Sequence, residues 1–179
     1  MKKALFLDRD GVINVDRGYV HTIKNFHFID GIFELCRTAL SKQFIIIVIT
    51  NQAGIGRGYY SEEDFDILNN WMCNIFLAND IVITKVYYSP FHPIHGIGKY
   101  RKDENSRKPR PGMIKEAEKE FQLCLSQSAL IGDNLTDIQA GLTAGVKKNI
   151  LLVSNRKEFL EPNKEYMVAT SLNEASALL

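Results

Sequence analysis

The sequence predicts an α/β fold built on a mostly parallel, doubly wound sheet with helices on both faces, and three observations support it. Short apolar runs alternate with longer amphipathic stretches along the chain, which is typical of β–α–β units. Residues 44–49 (FIIIVI) are rich in β-branched side chains and apolar throughout, as in a central parallel strand. Ser61 and Asp64 resemble a helix-capping box ahead of apolar residues at helical spacing.

The predicted elements follow one another in a regular order. The first strand is a short apolar run at residues 4–7, and the first helix is expected at residues 31–40, where apolar side chains recur at helical spacing. Pro111 suits the first turn of a later helix. The other strands are predicted at residues 44–49, 81–88, 128–131, 149–153 and 166–169, and the other helices from 61, from 111 to about 121, at 136–144 and at 171–179.

One segment departs from this alternation. Residues 89–110 hold three of the chain's five prolines, two histidines and many charges. A loop of that length inside a compact fold is usually functional or mobile, so we expect it to contribute to a site.

Length and composition limit the classes of protein to consider. The chain has 179 residues, which fits one domain spanning 1–179, and 22 basic residues balance 21 acidic ones to give a net charge of +1. That balance argues against a nucleic-acid or membrane binder, which would need a broad excess of positive charge. Three scattered cysteines are typical of a reducing compartment, and the N-terminal apolar run is too short for a secretory signal. We therefore expect a cytoplasmic protein.

Polar side chains that could catalyse a reaction or bind a ligand follow the predicted strands. Asp8 and Asp10 come directly after the first strand, Thr50 after the second, Lys108 after the long loop and Asp133 after the fourth strand. Because ligands bind outside the carboxyl ends of strands in a doubly wound sheet, we expect these side chains to meet at one edge.

This set of residue types favours phosphoryl transfer. Two carboxylates about 4 Å apart repel by roughly 4 kcal/mol at an effective dielectric constant near 20, so a divalent cation is expected among the acids, and Mg²⁺ suits such ligands best. Asp8 is placed to attack phosphorus, Asp10 to transfer protons, and Thr50 and Lys108 to hold phosphoryl oxygens. Taken singly, each aspartate could instead cap a turn or helix, and Lys108 could be a solvated surface lysine.

Four segments resemble the motifs of the haloacid dehalogenase superfamily of phosphatases. They are DRDGVIN (8–14), VITNQ (48–52), RKPRPG (107–112) and IGDNLTDIQAG (131–141). More narrowly, FLDRDGVIN, GYVH, TNQAGIGRG and RKPRPGM resemble the subfamily of D-glycero-D-manno-heptose 1,7-bisphosphate and histidinol-phosphate phosphatases, over residues 4 to about 172. The resemblance implies a Rossmann-like fold without a large cap domain and a Mg²⁺-dependent phosphatase.

The resemblance also implies roles for individual residues. Asp8 becomes the nucleophile and a Mg²⁺ ligand, Asp10 the general acid and base with its backbone carbonyl on the metal, and Asp133 the remaining metal ligand. Thr50 and Lys108 steady the transferring phosphoryl group. The positions that match substrate contacts are Asp16, Arg17, Gly18, Tyr19, Asn51, Gln52, Ala53, Arg107 and Asn134.

The subfamily resemblance leaves the substrate open between two compounds. The preferred one is the heptose 1,7-bisphosphate, hydrolysed at its 7-phosphate for surface-glycan biosynthesis, and its remote phosphate needs cations such as Arg17, Arg57, Arg107 and Arg110. Histidinol phosphate is the alternative. A phosphomutase would need a cap to shield the aspartyl phosphate, and a non-catalytic binding module would usually have lost a catalytic residue. Similar proteins are usually monomers, so we expect a monomer.

The long loop departs from the subfamily pattern. Many members bind a structural zinc there through residues resembling Cys-x-His and Cys-x-Cys. The matching positions here are Ser89, Phe91, Glu104 and Ser106, and serine and phenylalanine cannot replace thiolate and imidazole. We therefore expect Mg²⁺ but no structural zinc, and the nearby His92 and His95 would make only a weak site.

Overall fold

A computed structural model describes residues 1–154 and 165–179, and its centre is a six-stranded sheet. The strands are β1 (Lys3–Leu7), β2 (Phe44–Asn51), β3 (Ile83–Ser89), β4 (Ala129–Gly132), β5 (Lys148–Leu152) and β6 (Met167–Ala169). The helices are α1 (Ile32–Ser41), α2 (Ala53–Gly56), α3 (Glu62–Ala78), α4 (Gly112–Phe121), α5 (Leu135–Ala144) and α6 (Leu172–Ala177), with 3₁₀ turns at Ile23–Asn25, Gly98–Tyr100 and Leu125–Gln127.

Alternating side chains of the strands bury both faces of the sheet. In β1, Leu5 and Leu7 join a core that also contains apolar residues of α1, α3 and α6. Ala4 and Phe6 point to the opposite face, where they join residues of α4 and α5. This two-sided burial explains why the strands are apolar throughout, and it confirms the predicted α/β fold with helices on both faces.

The strand order positions the site. All paired strands are parallel, and the order is β3-β2-β1-β4-β5-β6. The chain winds outward from β1 in one direction through β2 and β3, and in the other through β4 and β5. The direction of winding therefore reverses between β1 and β4, and a crevice forms outside the carboxyl ends of these two strands. Asp8 follows β1 and Asp133 follows β4, so both lie at this crevice.

The predicted elements are all present, with shifts at their ends. β3 begins at Ile83 rather than at residue 81, because Ile81 donates its backbone N–H to Phe76 O and closes the C-terminus of α3, with Asp80 in the left-handed region (φ 61°). Pro111 is the N-cap of α4 rather than a residue of its first turn. The capping box of Ser61 and Asp64 is confirmed.

The long loop is held against α2 and α3 by hydrogen bonds. Ile97 N donates to Gly56 O (2.8 Å), and the Tyr100 hydroxyl donates to the Glu62 carboxylate. Tyr88 of β3 donates to the same carboxylate, and the two hydrogen bonds lower the pKa of Glu62. Two of the positions that match zinc ligands in the subfamily touch each other, since Ser106 Oγ donates to Ser89 Oγ (3.1 Å). The absence of structural zinc stays a prediction.

Within residues 1–154 and 165–179, every helix is too short or too polar to cross a membrane.

Candidate active site

The turn after β1 brings the first acids next to those of β4. Gly11 has a φ of 86°, and a Cβ there would lie 2.0 Å from Asp133 Oδ2. Only glycine allows both the left-handed backbone and this close approach. The turn therefore places Asp8 and Asp10 beside Asp133, as the strand-end argument predicted.

Lys108 is the cation at the centre of the site. Its side chain is 2% exposed, and Nζ lies 2.8 Å from Asp8 Oδ1 and 2.7 Å from Asp137 Oδ1, and it donates to Ile49 O at 2.9 Å. Asn51 fixes its backbone from both sides: Asn51 Oδ1 accepts from Lys108 N (3.0 Å), and Asn51 Nδ2 donates to Lys108 O (3.1 Å). A solvated surface position for Lys108 is therefore wrong.

Asp137 is a site residue that the sequence analysis missed. Carboxylate oxygens of Asp8, Asp133 and Asp137 all lie within 4.8 Å of one another. Asp137 occupies the first turn of α5, where it completes a capping box by accepting from Asn134 N (3.0 Å). The available signal was the spacing of Asn134 and Asp137 inside the fourth motif, which marks a capping box and turns Asp137 back towards the strand end.

The charges of this cluster fit a divalent cation. Burial raises the pKa of Asp8 to about 8 and that of Asp133 to about 6, and repulsion from Asp137 adds to both shifts while Lys108 opposes them. Burial disfavours the charged form of Lys108, but the negative charges of Asp8 and Asp137 outweigh this effect and raise the pKa of Lys108. When all three carboxylates are ionised, they and Lys108 leave two negative charges, and oxygen ligands of this kind suit Mg²⁺. The carboxylates of Asp8, Asp133 and Asp137 lie close enough to share one ion. The family resemblance implies Asp8, Asp133 and the backbone carbonyl of Asp10 as its ligands.

We expect Mg²⁺ to raise the melting temperature of the protein more at pH 8 than at pH 5. Between pH 4 and the raised pKa values of Asp8 and Asp133, the folded state binds more protons than the unfolded state, so without metal the cluster destabilises the fold as the pH rises. Mg²⁺ at 100 times its Kd adds about 2.7 kcal/mol, or roughly 5–10 °C for a chain of this size. Protons compete for the same oxygens at pH 5.

Thermal melting at both pH values, with NaCl at matched ionic strength as the control, measures this effect. Equal shifts at pH 5 and pH 8, or a shift that survives in Asp133→Asn, would contradict the assignment of the ion to this cluster.

A cavity of about 190 Å³ collects most of the predicted residues. It is lined by Asp8, Asp10, Asp16, Thr50, Asn51, Lys108, Asp133, Asn134, Thr136 and Asp137. The remaining predicted residues, Arg17, Gly18, Tyr19, Gln52, Ala53 and Arg107, lie outside this lining. Asp16, Arg17, Gly18 and Tyr19 form an exposed turn in which Gly18 N donates to Asp16 Oδ1 (2.8 Å). Gln52 is buried, and Ala53 begins α2.

Two arginines form a second charged group. Arg57 and Arg107 both reach the segment of Phe91 and His92 in the long loop. Burial and then the charge of Arg57 lower the pKa of Arg107. Arg57 lies over the Tyr19 ring (5.7 Å) and contacts His92, while Arg107 donates to Phe91 O (3.1 Å). Arg110, in contrast, is paired with Asp103. Two partly buried arginines that contact neighbouring loop residues are suited to binding an anion such as phosphate.

Comparisons with known proteins agree on one family. A HAD-hydrolase-like family model matches residues 105–175. The chain is 55% identical to a D-glycero-α-D-manno-heptose-1,7-bisphosphate 7-phosphatase of Burkholderia mallei over 84% of this chain and 79% of the relative. It is 38% identical to the D-glycero-β-D-manno-heptose-1,7-bisphosphate 7-phosphatase of Escherichia coli K12, over 98% of this chain and 91% of the relative.

A solved structure has the same fold. The D,D-heptose 1,7-bisphosphate phosphatase of B. bronchiseptica, complexed with magnesium and phosphate, superposes with a TM-score of 0.83 at 23% identity, over 98% of this chain and 96% of that one.

Proposed function

Because this chain belongs to the HAD-like hydrolases and, within them, to the family of D-glycero-D-manno-heptose-1,7-bisphosphate 7-phosphatases, we propose that it is a Mg²⁺-dependent phosphatase that removes the 7-phosphate of this sugar. The observation that carries the proposal is the convergence of Asp8, Lys108 and Asp133 on one cavity of about 190 Å³. A binding module would not need a buried lysine between carboxylates. The related phosphatases act on one or the other anomer, so either anomer is a candidate.

The first half of the reaction transfers the phosphoryl group to Asp8. Asp8 Oδ1 accepts from Arg9 N (2.7 Å) and contacts Lys108 Nζ (2.8 Å), so Oδ2 is the oxygen that attacks phosphorus. As the bond from phosphorus to the sugar oxygen breaks, Asp10 donates a proton to that oxygen, and heptose 1-phosphate leaves. Thr50 and Lys108 hold the phosphoryl oxygens.

The second half hydrolyses the aspartyl phosphate. Asp10, now ionised, takes a proton from a water molecule that attacks the phosphorus. The bond from phosphorus to Asp8 breaks, phosphate leaves, and both carboxyl groups return to their starting states. Mg²⁺ held by the carboxylate cluster would supply positive charge to the phosphoryl oxygens.

The arginine pair supports a bisphosphate substrate. Arg107 directly precedes Lys108 of the reaction cavity, and Arg57 reaches the same loop segment as Arg107. Their two positive charges can therefore bind the remote phosphate of a bisphosphate. Histidinol phosphate carries one phosphate and an ammonium group. Two guanidiniums would repel this positively charged ammonium group. The arginine pair therefore favours the sugar bisphosphate over this alternative.

A phosphate-release assay with Mg²⁺ tests the proposal. It compares both heptose 1,7-bisphosphate anomers with fructose bisphosphate and histidinol phosphate, in the wild-type protein and in Arg57→Met. We expect the highest kcat/KM for one heptose anomer, and a tenfold or greater rise in its KM in Arg57→Met, on the order expected when a charged hydrogen bond is lost. The KM for histidinol phosphate should not rise in this variant. Faster hydrolysis of histidinol phosphate by the wild-type protein would reverse the substrate assignment.

A soluble sugar-phosphate substrate is consistent with a cytoplasmic enzyme. That location, the monomeric state, and the lack of nucleic-acid and membrane partners stay predictions.

A further inference from the structure

Gln52 lies behind the cavity rather than in its wall. The residue is 2% exposed, and its side-chain amide makes three internal hydrogen bonds. Nε2 donates to Asp10 Oδ2 (3.1 Å) and to Thr50 Oγ1 (2.8 Å), and Oε1 accepts from Tyr60 Oη (2.5 Å). Its side chain therefore contacts two catalytic residues.

Chemistry permits a single orientation of this amide. An ionised Asp10 carboxylate only accepts hydrogen bonds, so the NH₂ group of Gln52 must face it, and the amide oxygen then faces Tyr60. Burial raises the pKa of Tyr60, which keeps its hydroxyl protonated and able to donate. The Tyr60 ring is buried and stacks on His21, with centroids 4.9 Å apart and planes at 4°. Tyr60 therefore fixes the amide from the side away from the cavity.

The same bonds determine which Asp10 oxygen can carry a proton. Asp10 Oδ1 accepts from Arg9 Nη2 (2.9 Å) and Asn14 Nδ2 (3.0 Å), which together use both of its lone pairs. Arg9 Nη2 also lies 2.9 Å from Oδ2, but the directed hydrogen bond at Oδ2 comes from Gln52. Oδ2 thus has a lone pair that can hold the transferred proton, and Gln52 determines where that oxygen lies.

Thr50 is oriented by the same amide. Because Thr50 Oγ1 accepts a hydrogen bond from Gln52 Nε2, its own hydrogen is available to a phosphoryl oxygen. Gln52 thus orients a proton donor and a phosphoryl-binding hydroxyl together.

We propose that Gln52 and Tyr60 are positioning residues that hold the general acid Asp10 in the orientation in which its Oδ2 protonates the leaving alcohol. This inference rests on the proposed phosphatase function, and it assigns Gln52 a role different from the substrate contact that the family resemblance implies. Neither side chain needs to touch the substrate for this role.

The test compares two leaving groups in the full-length protein with Mg²⁺. The alkyl substrate is whichever sugar phosphate the wild-type protein hydrolyses fastest, and the aryl substrate is 4-nitrophenyl phosphate, whose leaving group departs without a proton. The comparison uses kcat/KM, because this quantity covers only the steps up to departure of the leaving group and excludes the hydrolysis of the aspartyl phosphate, in which Asp10 acts on both substrates alike. We expect Tyr60→Phe to lower kcat/KM for the alkyl substrate by about tenfold, and to leave kcat/KM for the aryl substrate within about twofold. Gln52→Leu should lose about a hundredfold on the alkyl substrate and clearly less on the aryl one.

Tyr87→Phe is the matched control. Tyr87 is also buried, and its hydroxyl also donates to a side-chain oxygen at 2.5 Å, but its partner is Glu120, away from the cavity. Tyr87→Phe should leave both kcat/KM values unchanged. Equal losses on the two substrates in Tyr60→Phe, or no loss, would overturn the inference even if the protein is a phosphatase. A wild-type protein that hydrolyses neither substrate would overturn the proposed function and this inference with it.

Discussion

Asp8→Asn is expected to abolish phosphate release, with kcat lowered by at least about 10⁴-fold, while the fold stays at least as stable. Asparagine cannot form the acyl phosphate because its amide oxygen is a poor nucleophile. Its oxygen can still accept the hydrogen bonds that Arg9 N and Lys108 Nζ make to Asp8 Oδ1. The loss therefore concerns chemistry rather than structure.

The stability of this variant follows from the charge of the cluster. Burial raises the pKa of Asp8, so its ionised form destabilises the metal-free fold near pH 8, and a neutral amide removes that effect. We expect the melting temperature without Mg²⁺ to be unchanged or higher, and the shift produced by Mg²⁺ to shrink.

Kinetics and thermal melting on the same preparations measure both effects. Asp66→Asn, the same substitution on an exposed position of α3, should change neither kcat nor the melting temperature. Substantial turnover by Asp8→Asn would eliminate the aspartyl-phosphate mechanism.

Lys108→Met is expected to remove both activity and stability. Lys108 Nζ lies within 2.8 Å of Asp8 Oδ1 and within 2.7 Å of Asp137 Oδ1, and its side chain is almost fully buried. Methionine fills a similar volume but leaves two carboxylates without their cation. Breaking a buried ion pair from one side typically costs about 3–5 kcal/mol. Because Lys108 is also proposed to hold phosphoryl oxygens, kcat should fall by about 10²-fold or more.

Denaturant unfolding separates these effects. The double variant Lys108→Met with Asp137→Asn should regain part of the lost unfolding free energy, since one unpaired carboxylate is gone, but none of the activity. Lys115→Met is the control, because Lys115 forms an exposed pair with Glu118 on α4 and should change the unfolding free energy by less than about 0.5 kcal/mol. A Lys108→Met protein as stable as the wild type would show that this ion pair does not hold the cluster together.

Local sequence predicted the elements because each one carries its own signal. The β-branched run of β2, the capping box at Ser61 and the apolar spacing of α1 each report a local preference. The ends of elements were less predictable, as the start of β3 shows. Ile81 has the apolar, β-branched side chain of a strand residue, but its backbone N–H donates to Phe76 O and closes the end of α3. This hydrogen bond depends on the left-handed backbone at Asp80.

Lys108 and Gln52 show where local signals end. Lys108 was predicted in the site from its motif, but its two carboxylate partners come from the turn after β1 and from α5, 100 and 29 positions away in the chain. Gln52 was predicted to contact the substrate, and the structure places its side chain among Asp10, Thr50 and Tyr60 instead. Its substrate role stays untested.

The sequence by itself determined the α/β class, the succession of strands and helices, and the motif residues that follow the strands, because propensity, periodicity and motif spacing are properties of short segments. The tertiary structure alone decided the strand order, the inclusion of Asp137, the contacts of Arg57 and Arg107 with residues 91–92, and the burial of Gln52. These features depend on contacts between segments far apart in the chain, whose geometry is fixed only when both faces of the sheet are packed.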